Sequence, residues 1–279
     1  MTKPPNIAPV RNRSDWIFFT LLGVIASTYV LFLGGLVLAD FAYMAGAAKD
    51  GESIWSPIVN ALNRPEIRAS IRLSLISCTI TTILSLWVAI PVGYVMSRCQ
   101  FPGRNLVDAI LDIPIVLPPL VVGLSLLILF QFPPFAWFNR QVVYQTPAVI
   151  LAQFVVSAAF AVRTMRNTFD NLNPRGEQVA LTLGCTRAQA FGLVTFPEAW
   201  PGILTAGTLA WARALGEFGP LLVFAGATRY KTEVLSTTIF LELSIGNLQA
   251  AVAVSLIMVF AAVVVLMLTR MWGRRETTA

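Results

Sequence analysis

Charged residues are scarce in this sequence of 279 residues, where they make up 12% against 56% hydrophobic residues. A soluble protein of this length carries about 25% charged residues. The deficit coincides with several apolar runs of about 20 residues, the length that crosses a bilayer as a helix. We therefore expect an all-α, polytopic membrane protein rather than a soluble one.

Histidine is absent, and only three cysteines occur. The missing histidine removes the commonest general base and the usual zinc ligand sets. Cys78, Cys99 and Cys185 have no partner at metal-binding spacing, so we expect free thiols, no disulfide and no metal site. A P-loop is also missing, because no G-x-x-x-x-G-K-[ST] occurs in the sequence. Such a chain could use ATP only through a separate ATPase.

The net charge is +6, which could indicate a nucleic-acid partner. The basic residues lie between apolar runs, however, and form no continuous stripe. We interpret them as charges that set the topology of the membrane segments.

Six apolar segments predict about six transmembrane helices. They cover residues 16–39, 70–96, 107–130, 147–165, 202–225 and 248–272. A signal peptide is the alternative for the first segment, but its apolar part is too long for an h-region. The predicted organisation is a tail over 1–15, a transmembrane domain over 16–272 and a second tail over 273–279.

Lysine and arginine are more frequent on one side of these segments than on the other, which predicts that both termini are cytoplasmic. In this N-in, C-in topology the segment 166–197 is the longest cytoplasmic loop. It is too polar to cross the bilayer, yet its apolar residues recur at helical spacing.

Within that loop, residues 177–197 predict two short helices joined by a bend. Glu177 suits the first turn of a helix, and Gly184 suits the position that follows its end. Thr186 can cap a second helix, which Pro197 would end. The segment is either a docking elbow for a partner protein or a hairpin that packs only on its own bundle.

This segment resembles the EAA motif of ABC-importer membrane subunits, which reads EAA, three residues, Gly, nine residues, Ile, one residue, Leu-Pro. The spacing fits throughout. The motif positions fall on Gln178, Val179, Ala180, Gly184, Val194, Phe196 and Pro197. Gln178 and Val179 depart from the motif, and Glu177, one position earlier, is the candidate for the acidic contact.

A wider resemblance, over about residues 67–272, is to permeases for oxyanions such as molybdate, tungstate and sulfate. The segments that carry it are FPGR at 101–104, VLPP at 116–119 and RALGEFG at 213–219. Related permeases for polyamines, ferric iron and thiamine share parts of this pattern.

The resemblance implies a permease subunit of an ATP-driven importer in a bacterial inner membrane. It implies a cytoplasmic ATPase dimer docked on the 177–197 loop, an extracytoplasmic binding protein and a second permease copy, in a homodimer. ATP would be bound by the ATPase, so this chain would need no cofactor and would have no catalytic residue. The residues implied in coupling to the ATPase are Glu177, Gln178, Ala180, Gly184, Val194 and Pro197.

Two further classes of function remain as alternatives. A secondary transporter would need inverted repeats or broken helices around ion sites, and we find no clear internal repeat. An intramembrane enzyme would need paired carboxylates or a Ser-Lys site within the spans, and no such set is visible.

Arg213 and Glu217 are pore candidates, because ionisable residues within a span usually face its interior or a water-filled path. They lie four residues apart, on one helix face, so a structural ion pair is the alternative. Pro118 and Pro119 remove backbone donors from the third span, which predicts either a gate or a simple kink.

Two other groups of charges have more ordinary interpretations. Asp108 and Asp112 are expected to cap the cytoplasmic end of the third span. In the outer loop, over residues 228–247, Arg229 and Lys231 could meet acidic residues of a binding protein or form a solvated basic turn.

Overall fold

The computed structural model describes residues 13–47 and 55–274, which are mainly helical and contain no strand in either range. Of the two predicted tails, 1–15 and 273–279, only residues 13–15 and 273–274 are described, and these are helical. The all-α prediction is confirmed.

The first helix, α1, spans Arg13–Ala47 and belongs to a compact unit of its own that ends at Ile54. Its part Trp16–Gly46 is long and apolar enough to cross a membrane. The helix is longer than the predicted span 16–39, because the sequence up to Gly46 contains no proline to end it.

The second unit begins at Trp55 and contains all the other helices. They are α2 (Ser56–Asn63), α3 (Pro65–Arg98), α4 (Arg104–Val116), α5 (Pro119–Leu129), α6 (Asn139–Val142), α7 (Thr146–Asn171), α8 (Arg175–Thr182), α9 (Arg187–Ala190), α10 (Phe196–Glu198), α11 (Trp200–Leu215), α12 (Leu235–Ser244) and α13 (Leu248–Arg274). A 3-10 helix precedes α6 at Phe135–Phe138, and π-helical turns lie at Phe191–Thr195 and Leu221–Ala225.

Three of these helices match predicted spans as single, continuous elements. By length and hydropathy, Pro65–Arg98, Thr146–Asn171 and Leu248–Thr269 could each cross a membrane. With α1 they make four such helices among the described residues, or five if α4 and α5 count as one bent span. Six continuous spans are therefore not found within residues 13–47 and 55–274.

The third and fifth predicted spans are both broken. The axes of α4 and α5 differ by 112° across Leu117 and Pro118, where consecutive prolines cannot continue a helix. The predicted span 202–225 consists of α11, a break over 216–220 and the π turn Leu221–Ala225. Gly216, Gly219 and Pro220 supply that break, since glycine and proline disfavour a helix interior.

The two breaks lie against each other. A Cβ added to Gly219 would lie 2.8 Å from the Cβ of Pro119 and 3.0 Å from the amide nitrogen of Leu120. A Cβ added to Gly123, on α5, would lie 2.8 Å from the Cα of Pro220. Glycine at these positions therefore lets the two broken segments pack backbone to backbone.

The centre of the second unit is formed by α3, α7 and α11. Small residues of α3 are buried within the unit, among them Ser70, Ser74, Ser77, Cys78, Thr81 and Ser85. One long polar side chain, Gln153 of α7, is buried with them. Its amide nitrogen donates to the carbonyl of Ala214 on α11, at 3.2 Å, and its oxygen accepts from Thr81 on α3, at 3.3 Å. A single glutamine thus bonds to both of the other central helices.

The close contact of the two breaks generates a stability prediction. Gly219→Ala places a methyl group inside the backbone contact with Pro119, which should cost about 1–3 kcal/mol through overpacking. We expect a lower melting temperature of the detergent-purified chain. Gly216→Ala is the matched control, because its nearest neighbour would be 3.7 Å away, an ordinary contact. Equal melting temperatures for both variants would contradict the packing described here.

Candidate functional site

The predicted bend at Gly184 is confirmed. Helix α8 follows Pro174, and Gly184 adopts a φ of 95°, a left-handed conformation that favours glycine. The amide of Gly184 donates to the carbonyl of Leu181, at 3.1 Å, and the amide of Cys185 to that of Ala180, at 3.1 Å. These two hydrogen bonds form a Schellman motif, which satisfies the last carbonyls of α8.

The second arm begins as predicted but ends differently. Thr186 caps α9 in a capping box, in which Gln189 donates its amide to the Thr186 hydroxyl and accepts from the Thr186 amide. Pro197 does not end this arm, so that prediction was wrong. The π turn Phe191–Thr195 and the short α10 carry helical backbone through Pro197, which occupies a first-turn position where a proline needs no donor. We call residues 175–197 the elbow.

The carboxylate of Glu177 is bonded within the chain. It accepts hydrogen bonds from the hydroxyl of Tyr94 and, at 3.2 Å, from the hydroxyl of Thr195. The guanidinium Nε of Arg98 lies 3.9 Å from it. Glu177 therefore joins three segments: the first arm of the elbow, its second arm and the last turns of α3. The sequence pattern did not identify Tyr94 and Arg98; their spacing of four residues at the end of a span was the available signal.

An aromatic cluster underlies this polar contact. The ring of Tyr94 lies 5.6 Å from that of Phe169 on α7 and 4.8 Å from that of Phe191 in the second arm, measured between centroids. Phe196 continues the contacts, 6.1 Å from Phe191 and 6.5 Å from Trp200 on α11. The elbow is thus packed onto α3, α7 and α11 by large rigid side chains.

The six predicted coupling residues divide into two sets. Glu177, Ala180 and Val194 are buried or partly buried. Val194 packs on the first arm, since a Cβ added to Gly176 would lie 3.2 Å from one of its methyl groups. Gln178, Gly184 and Pro197 are exposed.

Three large apolar side chains are exposed beside that second set: Val179 at 56%, Leu183 at 80% and Leu193 at 72%. We call Val179, Leu183, Gly184 and Leu193 the outer face of the elbow.

An open groove of about 920 Å³ separates the elbow from the last turns of α3. Its walls are mainly apolar and include Trp87, Ile90 and Pro91 on α3 with Leu181 and Phe191 on the elbow. Its charged lining residues are Arg98, Glu177 and Arg187.

Asp108 and Asp112 are not helix caps, contrary to the prediction. Helix α4 begins at Arg104, so both aspartates lie beyond its first turn. Each pairs with an arginine of α7: Asp108 with Arg166, and Asp112 with Arg163, whose Nη1 lies 3.0 Å from both carboxylate oxygens. These pairs hold α4, the first half of the bent pair, to α7.

Of the pore candidates, Arg213 and Glu217 form the ion pair that their spacing allows, with 2.6 Å between Nη1 and Oε2. Glu217 is 1% exposed, whereas Arg213 is partly exposed and its guanidinium carbon lies 5.6 Å from the ring centroid of Phe160. Pro118 and Pro119 are exposed, and Pro119 contacts Gly219, two residues beyond Glu217. The predicted pore residues therefore lie around the two helix breaks.

The loop between α11 and α12 carries a second charged cluster. Arg229 pairs with Glu242, at 3.3 Å, and with Glu66, at 3.7 Å. Arg64 also pairs with Glu242, at 3.1 Å. Arg229 is thus occupied within the chain, and the predicted solvated basic turn is not found for this residue.

Nearby, the side chain of Glu233 is buried, and burial raises the pKa of its carboxyl above the ordinary value of 4.5. Arg229 opposes this rise in pKa, whereas Glu242 and Glu66 add to it.

Comparison with known proteins gives a consistent set of similarities. A family model described as the inner membrane component of binding-protein-dependent transport systems matches residues 89–276. The sulfate transport system permease protein CysT of Escherichia coli strain K12 is 33% identical over 230 residues, which are 79% of this chain and 83% of that protein. The molybdate/tungstate transport system permease protein WtpB of Pyrococcus furiosus is 32% identical over 214 residues, 77% of this chain and 80% of that protein.

Solved structures are similar in fold. A bacterial ABC transporter involved in the import of the acidic polysaccharide alginate matches with a TM-score of 0.74 and 20% identity, over 94% of this chain and 96% of that one. The alginate transporter in complex with an alginate pentasaccharide-bound periplasmic protein also matches, with a TM-score of 0.74 and 18% identity, over 95% and 96%.

The Glu177 contacts predict the effect of removing one charge. Glu177→Gln places an amide that donates hydrogen bonds opposite the donors of Tyr94, Thr195 and Arg98. The lost charged hydrogen bonds should cost about 1.5–3 kcal/mol. We expect amide hydrogen exchange in the elbow to accelerate by about tenfold or more. Glu198→Gln, at an exposed carboxylate, is the control; equal exchange in both variants would refute the anchoring role of Glu177.

The raised pKa of Glu233 predicts a pH-dependent gain on neutralisation. A carboxyl whose pKa is higher in the folded than in the unfolded protein favours folding when it is protonated, below the unfolded pKa. This contribution to the free energy of unfolding is lost as the pH rises through the folded pKa. Glu233→Gln should therefore raise the melting temperature at pH 7, with the gain disappearing below about pH 4.5. Glu198→Gln, the control, should leave the melting temperature unchanged at both pH values. A destabilised Glu233→Gln at pH 7 would show that the charged form is favoured.

Proposed function

The chain belongs to the family of inner membrane components of binding-protein-dependent transport systems, and from this premise we propose its part in transport. It is the permease subunit of an ATP-driven importer, it forms the path through the membrane, and a separate ATPase docks on the elbow. The observation that carries the proposal is the elbow itself, in which Leu183 and Gly184 are exposed while the partly buried carboxylate of Glu177 is hydrogen-bonded within the chain.

The division between the two sides of the elbow supports this role. A surface of exposed apolar side chains beside polar ones is typical of an interaction site. The inward side is tied by Glu177 and by the aromatic cluster to helices of the membrane domain. A force on the outer face is therefore transmitted to α3, α7 and α11 without a flexible connection in between. Gly184, Gln178 and Pro197 contact the ATPase, whereas Glu177, Ala180 and Val194 keep the shape of the elbow.

The ATPase is a separate subunit, because the sequence carries no P-loop. The chain's relatives are permease subunits, and we propose that this chain likewise has no ATPase site and needs no cofactor of its own. We place the elbow and both termini in the cytoplasm, as the distribution of lysine and arginine favours.

We propose an oxyanion as the substrate. The relatives named for sulfate and for molybdate/tungstate are about one-third identical over most of the chain, whereas the structurally similar alginate transporter is only 20% identical. Arg213, partly exposed between the two helix breaks, offers a transient positive charge to a passing anion. The carboxylate of Glu217, which is paired with Arg213, weakens this attraction, so that the anion is released again. Molybdate or tungstate is our first choice and sulfate the second.

An extracytoplasmic binding protein delivers this substrate, and a second copy of the chain completes the path in a homodimer. The family description includes a binding protein, and the alginate transporter has been solved with its periplasmic protein. A single copy leaves the two helix breaks and Arg213 partly exposed, which suits a path shared between two copies.

The test is reconstitution of the chain with a candidate ATPase and a candidate binding protein from the same genome. We expect the ATPase and the binding protein to co-purify with the permease, and we expect molybdate, tungstate or sulfate to stimulate ATP hydrolysis several-fold. Ferric iron and spermidine serve as negative controls. Stimulation by a cation alone would overturn the oxyanion assignment, and failure of the ATPase to co-purify would overturn the importer assignment.

The elbow generates a prediction about coupling. Gly184→Asp adds a charged side chain to the outer face, where it meets no atom of the chain itself but would meet the ATPase. We expect transport to fall by at least about tenfold, which corresponds to about 1.4 kcal/mol. The melting temperature should fall only because an aspartate is strained in the left-handed backbone conformation of position 184.

The matched control for Gly184→Asp is Gly103→Asp. Gly103 also has a positive φ, of 88°, and open space around it, but it lies outside the elbow. Equal transport by the two variants would contradict docking at Gly184.

A further inference from the structure

The groove beside the elbow is a different surface from the outer face, although two of the proposed coupling residues, Glu177 and Gln178, line it. It lies between the last turns of α3 and the inward side of α8 and α9, away from the helix breaks and from the outer face. Its volume of about 920 Å³ is near the upper end for sites that bind small molecules, about 300–1,000 Å³. An exposed groove of this size with mainly apolar walls is typical of a binding site for an apolar group.

The position of the groove selects the class of occupant. One wall is formed by the last three turns of α3, from Trp87 to Arg98, and by Cys99, which follows them; α3 is long and apolar enough to cross the membrane. Trp87, the first residue of this wall, is 75% exposed. Moving along α3 towards the elbow, the lining changes from Trp87, Ile90 and Pro91 to Ser97, Arg98 and Cys99. The groove is thus apolar at membrane depth and polar at the membrane surface.

The charges at the polar end fit one phosphate group. The charged lining residues are Arg98, Arg187 and Glu177, which leave one net positive charge. Glu177 is already occupied by Tyr94 and Thr195, and the buried Nε of Arg98 has no hydrogen-bond partner. The guanidinium of Arg187 is exposed and forms no ion pair among the described residues. Arginine at the end of a groove between membrane helices is a suitable partner for an anionic headgroup.

We propose that this groove binds an anionic phospholipid. One or both acyl chains lie against Trp87, Ile90 and Pro91, and the phosphate is bound by Arg98 and Arg187. Bound lipid would then join the wall of α3 to the first turn of α9, so the elbow would be held more firmly in an anionic bilayer. The assignment of the lipid to the inner leaflet rests on the proposed orientation of the chain. The assignment of its chemical class rests only on the residues that line the groove.

Cys99 provides a probe, because it lines the groove. Cys78 is fully buried, and Cys185→Ser removes the other partly exposed thiol. We would measure alkylation of Cys99 by a maleimide in the full-length Cys185→Ser chain, in nanodiscs of phosphatidylcholine alone or with phosphatidylglycerol. We expect phosphatidylglycerol to slow alkylation several-fold and to be retained by the chain in native mass spectrometry.

Two charge-matched variants locate the headgroup. Arg187→Gln should abolish both the protection and the retention of phosphatidylglycerol. Arg175→Gln, on the same elbow but outside the groove, should leave both unchanged. Ala188→Trp, which fills the groove without a change of charge, should also abolish retention and so tests the apolar part independently.

Three results would overturn the proposal. Alkylation at one rate in both bilayers would show that no anionic lipid covers Cys99. Equal loss of retention in Arg187→Gln and Arg175→Gln would show general attraction to the surface. Protection in both bilayers that disappears on dilution to monomers would assign the groove to a second copy of the chain. None of these measurements needs the ATPase or the substrate, so they are independent of the transport assay.

Discussion

The carboxylate of Glu177 is the contact on which the arrangement of the elbow depends. A partly buried charge is stable only when it is paired and hydrogen-bonded, and Glu177 meets this condition with groups from two other segments, α3 and the second arm of the elbow. Because Glu177 lies on the first arm and its partners lie on the second arm and on α3, a single side chain fixes the angle between the arms and the position of the elbow on the membrane domain. The aromatic rings of Tyr94, Phe169 and Phe191 supply the packing beneath it.

The two helix breaks place a different constraint on the other half of the domain. Prolines at 118–119 and the Gly219-Pro220 pair interrupt two segments whose hydropathy predicts continuous spans, and the interruptions pack on each other. The ion pair of Arg213 and Glu217 lies at this contact. The pairs of Asp108 and Asp112 with α7 hold the near half of the bent helix in place. A path for an anion at this contact would therefore be bordered by rigid, paired charges rather than by free ones.

Much of this structure could be predicted from the sequence, and the exceptions have physical causes. Hydropathy identified the long helices, and local rules identified Gly184 as the bend and Thr186 as the cap, because both depend on neighbouring backbone groups. Pro118 and Pro119 predicted a gate or a kink in the third span, but not the 112° angle between α4 and α5, since neither hydropathy nor a missing backbone donor fixes the direction of a helix. The continuation through Pro197 depends on a π turn that no local rule anticipates. The partners of Glu177, Asp108 and Asp112 lie 51 or more residues away in sequence, apart from Thr195, so only the tertiary structure reveals them.

The central claim is that the outer face of the elbow is where a separate ATPase acts on a permease. Site-specific photocrosslinking tests it most directly, with a photoreactive amino acid in place of Leu183 or, as the control, Leu243, which is exposed on α12. In the assembled transporter the account predicts a covalent product between position 183 and the ATPase and none from position 243. An ATPase crosslink from position 243, or none from position 183 in an assembly that hydrolyses ATP and transports, would contradict it.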